Sequence, residues 1–290
     1  MATALRISLS ALVAGALIGA VVLPQVSLAG GGASGGHRSS AEKVWPRLRY
    51  PPSPAIRRAQ EFAAGSGVSF ALIDRSLGFR GYDPHRQYSS ASVTKALLLA
   101  AELRRLERGH LPVDAGTRAL LEPMVTSSDN RAADAIYARV GDAGLQEVAR
   151  HAGMASFEVT PGFWGGCQVT AADLARFFYR LDANLPRPHR AYGKRLLARI
   201  VPVERWGIPH VIRRGWSIWF KGGWRPAGGE HNSGPVTHQG ALLVHRNGER
   251  LALAVLTDEA PGVGGISAVE GVAARVLAKP PPHRGGWLAP

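Results

Sequence analysis

Ser92, Lys95, Ser128, Asn130 and Lys221 are residue types that can activate a hydroxyl and support an acylated serine. A serine hydroxyl is a weak nucleophile at neutral pH, so a site built on one needs a base within hydrogen-bond reach and donors for the oxyanion that forms. Ser92-Val93-Thr94-Lys95 offers the first, because side chains three positions apart on a helix share a face. Burial of such a helix lowers the lysine pKa toward that of a useful base, and the helix N-terminus favours negative charge developing at the serine. Ser128-Asp129-Asn130 adds a second hydroxyl and an amide. Lys221-Gly222-Gly223 adds a cation and two bare glycines, which in a strand often mark close approach by a ligand or another backbone.

The three motifs differ in weight. Ser-x-x-Lys pairs arise readily by chance, and a second copy, Ser40-Ala41-Glu42-Lys43, lies where nothing would hold a site. At Ser92 a capping serine beside a snorkelling lysine would give the same pattern. Ser-Asp-Asn is rarer, expected on the order of 0.01 times from composition, although it also makes a good helix cap ahead of Ala132-Ala133. Lys-Gly-Gly alone equally suits a turn at a strand end. What separates these motifs from coincidence is their order and their placement on a helix, a helix start and a strand. Lysine occurs only at Lys43, Lys95, Lys194, Lys221 and Lys279, and Lys95 and Lys221 fall inside motifs.

The elements that position them follow from periodicity. Pro54 to Ala64 reads as a helix and Val68 to Ile73 as a strand, followed by polar turn residues up to Ser90. Ala91 to Arg108 is a helix closed by Gly109, apolar on every face between Ala96 and Ala101 and therefore central in the core. Helices are predicted over Asp114 to Met124, Asn130 to Val140, Ala143 to Ala152 and Ala171 to Leu181. Strands are predicted over Trp216 to Phe220, Gly240 to His245 and Leu251 to Thr257, the last two joined by an Arg246-Asn247-Gly248 hairpin turn, before a closing helix from Ser267 to Ala278. This order predicts a mixed α/β (α+β) fold, an antiparallel sheet flanked by helices with an inserted all-helical lobe.

Composition narrows the function classes. Residues 1–29 hold Arg6, an apolar run from Ile7 to Leu23 and Ser27-Leu28-Ala29, the pattern of a secretory signal cut after Ala29; an uncleaved anchor is the alternative. A secreted, periplasmic or envelope location is expected. Residues 30–53, with Gly30-Gly31-Gly32 and Pro51-Pro52, read as a flexible tether, 54–279 as the folded domain and 280–290 as a loose Pro-rich tail. Cys167 is the single cysteine, so no internal disulfide can form, and its context reads as a small packed residue. The net charge of +14 favours anionic partners such as an envelope surface, whereas arginines scattered without interleaved aromatics argue against nucleic-acid binding. His231, His238 and His245 lack the spacing of a metal-ligand set, so neither metal nor cofactor is expected, and nothing calls for an oligomer.

The three motifs resemble the signature elements of class A β-lactamases and the related penicillin-binding D,D-peptidases, and Thr170-Ala171-Ala172-Asp173-Leu174-Ala175-Arg176 is similar to the helix that follows their catalytic loop. The resemblance runs from about residue 54 to 279. It implies a β-lactamase/transpeptidase-like fold and an exported serine hydrolase acting on a β-lactam or a D-Ala-D-Ala-like peptide. By that resemblance Ser92 is the nucleophile, Lys95 its base or proton relay, and Ser128 the donor to the leaving nitrogen. Asn130 holds the substrate amide, Lys221 supplies positive charge, and the backbone N–H groups of Ser92 and Trp224, beside Gly223, form the oxyanion hole.

Three features depart from the pattern. The interval from Ser92 to Ser128 is short, Gly222 replaces the usual Thr or Ser, and the segment before Thr170 lacks the usual Glu-x-x-Leu-Asn. In class A enzymes that glutamate activates the water that clears the acyl-enzyme. Glu158 is the only acid between Ala152 and Thr170 and is the candidate deacylation base. The expectation is ready acylation of Ser92 and slow hydrolysis. The alternatives are a peptidoglycan- or penicillin-binding envelope protein without turnover, and an esterase using the same serine.

Overall fold

The structure is a computed structural model that describes residues 50–228, 234–261 and 263–279. The export segment, most of the tether, the tail and His231 lie outside the described residues. Helix α1 (Ser53–Gly65) leads into β1 (Val68–Ile73), β2 (Phe79–Tyr82) and β3 (Gln87–Ser89). A 3-10 turn over Ala91–Val93 opens α2 (Thr94–Arg108), followed by α3 (Ala115–Thr126) and α4 (Asn130–Ala152). After a second 3-10 turn, Trp164–Gly166, come β4 (Gln168–Thr170), α5 (Ala171–Tyr179), α6 (Leu181–Asn184) and α7 (Arg190–Ala198). A third, Pro202–Glu204, precedes α8 (Ile208–Val211), and β5 (Trp216–Arg225), β6 (Val236–His245), β7 (Arg250–Thr257) and α9 (Val263–Val276) complete the order.

Among the described residues five strands form one antiparallel sheet in the order β2-β1-β7-β6-β5. Alternate β6 residues face opposite layers. A Cβ at Gly240 would stand 2.5 Å from the Phe178 ring of α5, whereas Thr237 Oγ1 lies 2.2 Å from a Cβ built on Gly265 of α9. Helices α1 and α9 pack together on that second face, and α5 packs against β1 and β7. Helix α2 packs on α4 and α3 in the helical lobe. Leu97, Leu98, Leu99 and Ala100 are all fully buried, as the apolar run predicts, so α2 is the central helix of this lobe. The antiparallel sheet, flanking helices and helical lobe agree with the fold expected from the sequence.

The differences have local causes. Strands β2 and β3 stand where turns are expected: β2 is a short edge strand with no buried face, so it carries no alternation, and Gly81 lets Phe70 O come within 2.1 Å of where a Cβ would be. The helix expected from Ala91 begins with a 3-10 turn because Ala91 has φ 46°. The two helices predicted across Gly141 are two helices meeting at a break, since Gly141 (φ 61°, ψ −173°) is non-helical. Helices α7 and α8 were not anticipated. Tyr50, assigned to the tether, is buried, donates to Lys279 O at 2.8 Å and packs on Trp216, so the fold starts before Pro54. Among the described residues no helix is long and apolar enough to cross a membrane.

Candidate active site

Ser92 lies in the 3-10 turn that opens α2, and the segment before it is fastened from three sides. His238 is buried on β6; its Nδ1 accepts from Thr257 N–H (3.3 Å), which leaves Nε2–H to donate to Ser89 O (3.0 Å). Burial holds this imidazole neutral, with its pKa down at about 4. Arg225 Nη1 donates to Ser89 Oγ (3.1 Å), and Ser90 N–H donates to Cys167 O (2.8 Å). These contacts sustain the left-handed φ of Ala91, a conformation that costs a non-glycine residue about 1 kcal/mol or more.

Asp129 starts α4 by accepting from Ala132 N–H at 2.7 Å, so the cap reading of this triplet holds alongside the chemical one. Ser128, itself left-handed at φ 62°, presents both its carbonyl and its hydroxyl to Lys95. Lys95 Nζ donates to Ser128 O, to Ser128 Oγ at 3.2 Å and to Asn130 Oδ1 at 2.6 Å. Lys221 Nζ approaches the same hydroxyl from β5 at 3.1 Å and donates to Gly222 O at 2.8 Å. Ser128 Oγ thus accepts from two ammonium groups, and its own O–H is left to point into the cleft.

Both lysines are buried, and burial is the main reason their pKa values fall, Lys95 to about 7 and Lys221 to about 8. Lys221 depresses Lys95 further, while Asp129, Glu204 and Asp134 oppose the shift. A protonated Lys95 has its three donors committed to Ser128 and Asn130, so it can take a proton from Ser92 only as the neutral amine. A pKa near 7 makes that amine available at ordinary pH.

Strand β5 runs through Lys221, Gly222 and Gly223, as their expected placement on a strand requires, and on to Arg225. A Cβ on Gly223 would stand 2.7 Å from Ser92 N and 2.6 Å from Val93 N, so the glycine marks the close approach of β5 to the serine turn. Ser92, Ser128, Asn130 and Trp224 line one cleft of about 320 Å³ together with Trp164, Glu204 and Arg225. The structure therefore brings Ser92, Lys95, Ser128, Asn130, Lys221, Gly223 and Trp224 to one place.

Glu158 is not there. It is exposed, its backbone forms an antiparallel bridge with Gln168, and its carboxylate receives Gln87 Nε2 at 3.3 Å. Glu158 is not among the residues that line the cleft, so the structure does not bring the candidate deacylation base together with the other site residues. The loop instead presents Trp164, whose ring centre lies 5.0 Å from Lys95 Nζ and whose Nε1–H donates to Asp134 Oδ1 at 2.8 Å. Sequence reasoning passed over Trp164 and Glu204; an aromatic pair, Phe163-Trp164, inside an otherwise small, Gly-rich loop was the available signal for the first, and nothing local marked the second. Cys167 is buried with its thiol pushed up to about 11, as a packed residue is. Among the described residues no three His, Cys, Asp or Glu side chains gather as a metal site, and His238 and His245 are engaged separately.

The fold is shared with solved structures of low identity. PBP-A matches with a TM-score of 0.67 at 16% identity, over 80% of this chain and 97% of that one. The β-lactamase from Sphaerobacter thermophilus DSM 20745 matches with a TM-score of 0.65 at 17% identity, over 77% and 96%. The L158E mutant of PBP-A, an acyl-enzyme complex with penicillin G, matches with a TM-score of 0.65 at 18% identity, over 81% and 98%. No curated protein matches the sequence. The model of the family described as "Beta-lactamase enzyme family" matches residues 112–278, a stretch that contains Ser128, Asn130 and Lys221 to Trp224 and begins after Lys95. That match spans more than half of the sequence, and the chain belongs to the beta-lactamase enzyme family.

Proposed function

We propose that the protein is an exported serine hydrolase that forms an acyl-serine at Ser92 with a β-lactam or a D-Ala-D-Ala-like peptide and releases it slowly. The observation that carries this reading is the convergence of Lys95 and Lys221 on Ser128 Oγ in the cleft that also holds Ser92. Neutral Lys95 takes the Ser92 proton, Ser92 Oγ attacks the carbonyl, and the oxyanion is held by the N–H groups of Ser92 and Trp224. The Ser128 O–H then protonates the leaving nitrogen, and Lys95 returns the proton to Ser128. Asn130 accepts from Lys95 through Oδ1, which leaves its amide N–H₂ to hold a substrate carbonyl.

Release needs a water and a base, and the loop lines the cleft with Phe163, Trp164 and Gly165 and no acid, the Trp164 ring centre lying 5.0 Å from Lys95 Nζ. The same indole favours a second reading, a penicillin-binding envelope protein that acylates and does not turn over. The penicillin G acyl-enzyme of the PBP-A mutant lends support by analogy of fold. Intact-protein mass spectrometry after mixing with benzylpenicillin tests the proposal, with a chromogenic cephalosporin as the turnover assay. A persistent adduct that is absent from Ser92→Ala is expected. Absence of both adduct and turnover, or turnover that survives in Ser92→Ala, would overturn it.

A further inference from the structure

Glu204 brings a negative charge to the wall of the cleft lined by Ser128, the hydroxyl on which both lysines converge. Its 3-10 turn is held to the end of α3 by Val201 N–H donating to Thr126 O at 2.9 Å, just ahead of Ser128. The residue is partly buried, and among the described residues no hydrogen bond or ion pair engages its carboxylate. Two positions on, the Trp206 ring lies against β5: a Cβ on Gly222 would stand 2.8 Å from Trp206 Cζ2. Gln239 fixes that segment, donating to Trp206 O at 2.8 Å and accepting from Ile208 N–H at 2.6 Å. The indole therefore takes the room in which a hydroxyl side chain at position 222 would stand.

A ligand carboxylate arriving beside Lys221 would find no hydroxyl donor at 222 and would meet the anion of Glu204. The cations around the cleft already donate to the protein: Lys95 to Ser128 and Asn130, Lys221 to Ser128 and Gly222, and Arg225 to Ser89 Oγ and Gly234 O. Because burial lowers both lysines, the pair carries less than two full charges near neutral pH, and Glu204 sets a negative charge against it.

We propose that the leaving-group side of this cleft takes an uncharged or amine-bearing group, such as an ester or amide in place of a free carboxylate, and that Glu204 sets the preference. The proposal rests on the acyl-serine reading of the same site. It concerns which ligands enter, and like-charge juxtaposition in a partly desolvated cleft is costly enough to discriminate at least about tenfold.

The test separates binding from chemistry. In Ser92→Ala, quenching of tryptophan fluorescence reports occupancy, because Trp224 lines the cleft and is 48% exposed. Benzylpenicillin methyl ester is expected to bind at least about tenfold more tightly than benzylpenicillin. The further change Glu204→Gln, checked by thermal melting, is expected to reduce that ratio to within about twofold. Equal or tighter binding of the free acid in Ser92→Ala overturns the proposal, as does an ester preference that Glu204→Gln leaves intact. Wild-type protein mixed with each compound and read by mass spectrometry reports on the acyl-serine reading alone: an adduct with either compound upholds it whichever way the preference falls, and no adduct together with no quenching overturns both.

Discussion

Gly223→Ala isolates the contact on which the serine turn depends. The added methyl would sit 2.7 Å from Ser92 N and 2.6 Å from Val93 N, and relief to an ordinary contact of 3.4 Å requires β5 or the turn to retreat by roughly 0.8 Å. Both obstructing atoms are backbone, so no rotamer change can absorb the clash. The retreat separates the N–H of Ser92 from that of Trp224, the two proposed oxyanion donors. Loss of one such donor costs about 100- to 1,000-fold in rate, and a misplacement approaching 1 Å costs about 100-fold. Acylation is therefore expected to fall about 100-fold, alongside an overpacking cost of about 1–3 kcal/mol. Gly222→Ala is the control. Its methyl meets Trp206 Cζ2 at 2.8 Å, the far edge of a partly buried ring that can tilt, so acylation should stay within about threefold of wild type. Rapid-quench mass spectrometry of the growing adduct measures the rates, and thermal melting separates the rate effect from unfolding. A Gly223→Ala protein that acylates within threefold of wild type would refute the oxyanion assignment.

Other outcomes follow from the same geometry. Lys95 is a base only when neutral and its pKa is about 7, so the acylation rate should climb as pH rises through about 7 and then fall as Lys221, at about 8, loses its charge. The two lysines act on one hydroxyl, so the limbs belong to the pair, and a flat profile from pH 6 to 9 would exclude this assignment. Glu158→Gln should leave the lifetime of the acyl-enzyme within twofold of wild type, because its carboxylate is exposed and occupied with Gln87; a marked lengthening would restore it as the base. Asp129→Ala should lower stability by about 1 kcal/mol through loss of the α4 cap, as read by urea unfolding.

What the sequence makes legible is what depends on neighbours in the chain. The apolar run Ala96 to Ala101 has one physical solution, a helix buried on every side, and the structure places it there. The serine and lysine that open that helix inherit the buried setting, and the lowered pKa of Lys95 is a consequence of the same apolar run. Gly223 was legible in kind: a bare glycine in a strand signals approach, although only the fold shows that Ser92 N is what approaches. Strand β2 was not legible, because an exposed edge strand has no face to alternate.

The acids show where reading along the chain stops. Glu158 lies in the right interval of sequence, yet it is exposed, in an isolated bridge with Gln168, and does not line the cleft. Glu204, distant from every motif, reaches the cleft through a turn pinned by Thr126 O. A carboxylate's effect on two buried ammonium groups depends on distance and desolvation, and neither is a property of sequence separation. On the proposed reading, the fate of the acyl group and the choice of substrate fall to Trp164 and Glu204, residues that belong to none of the three motifs. In the proposed chemistry the indole near Lys95 bears on the water that would reach an acyl-serine, and the anion on the cleft wall bears on the ligand that would enter.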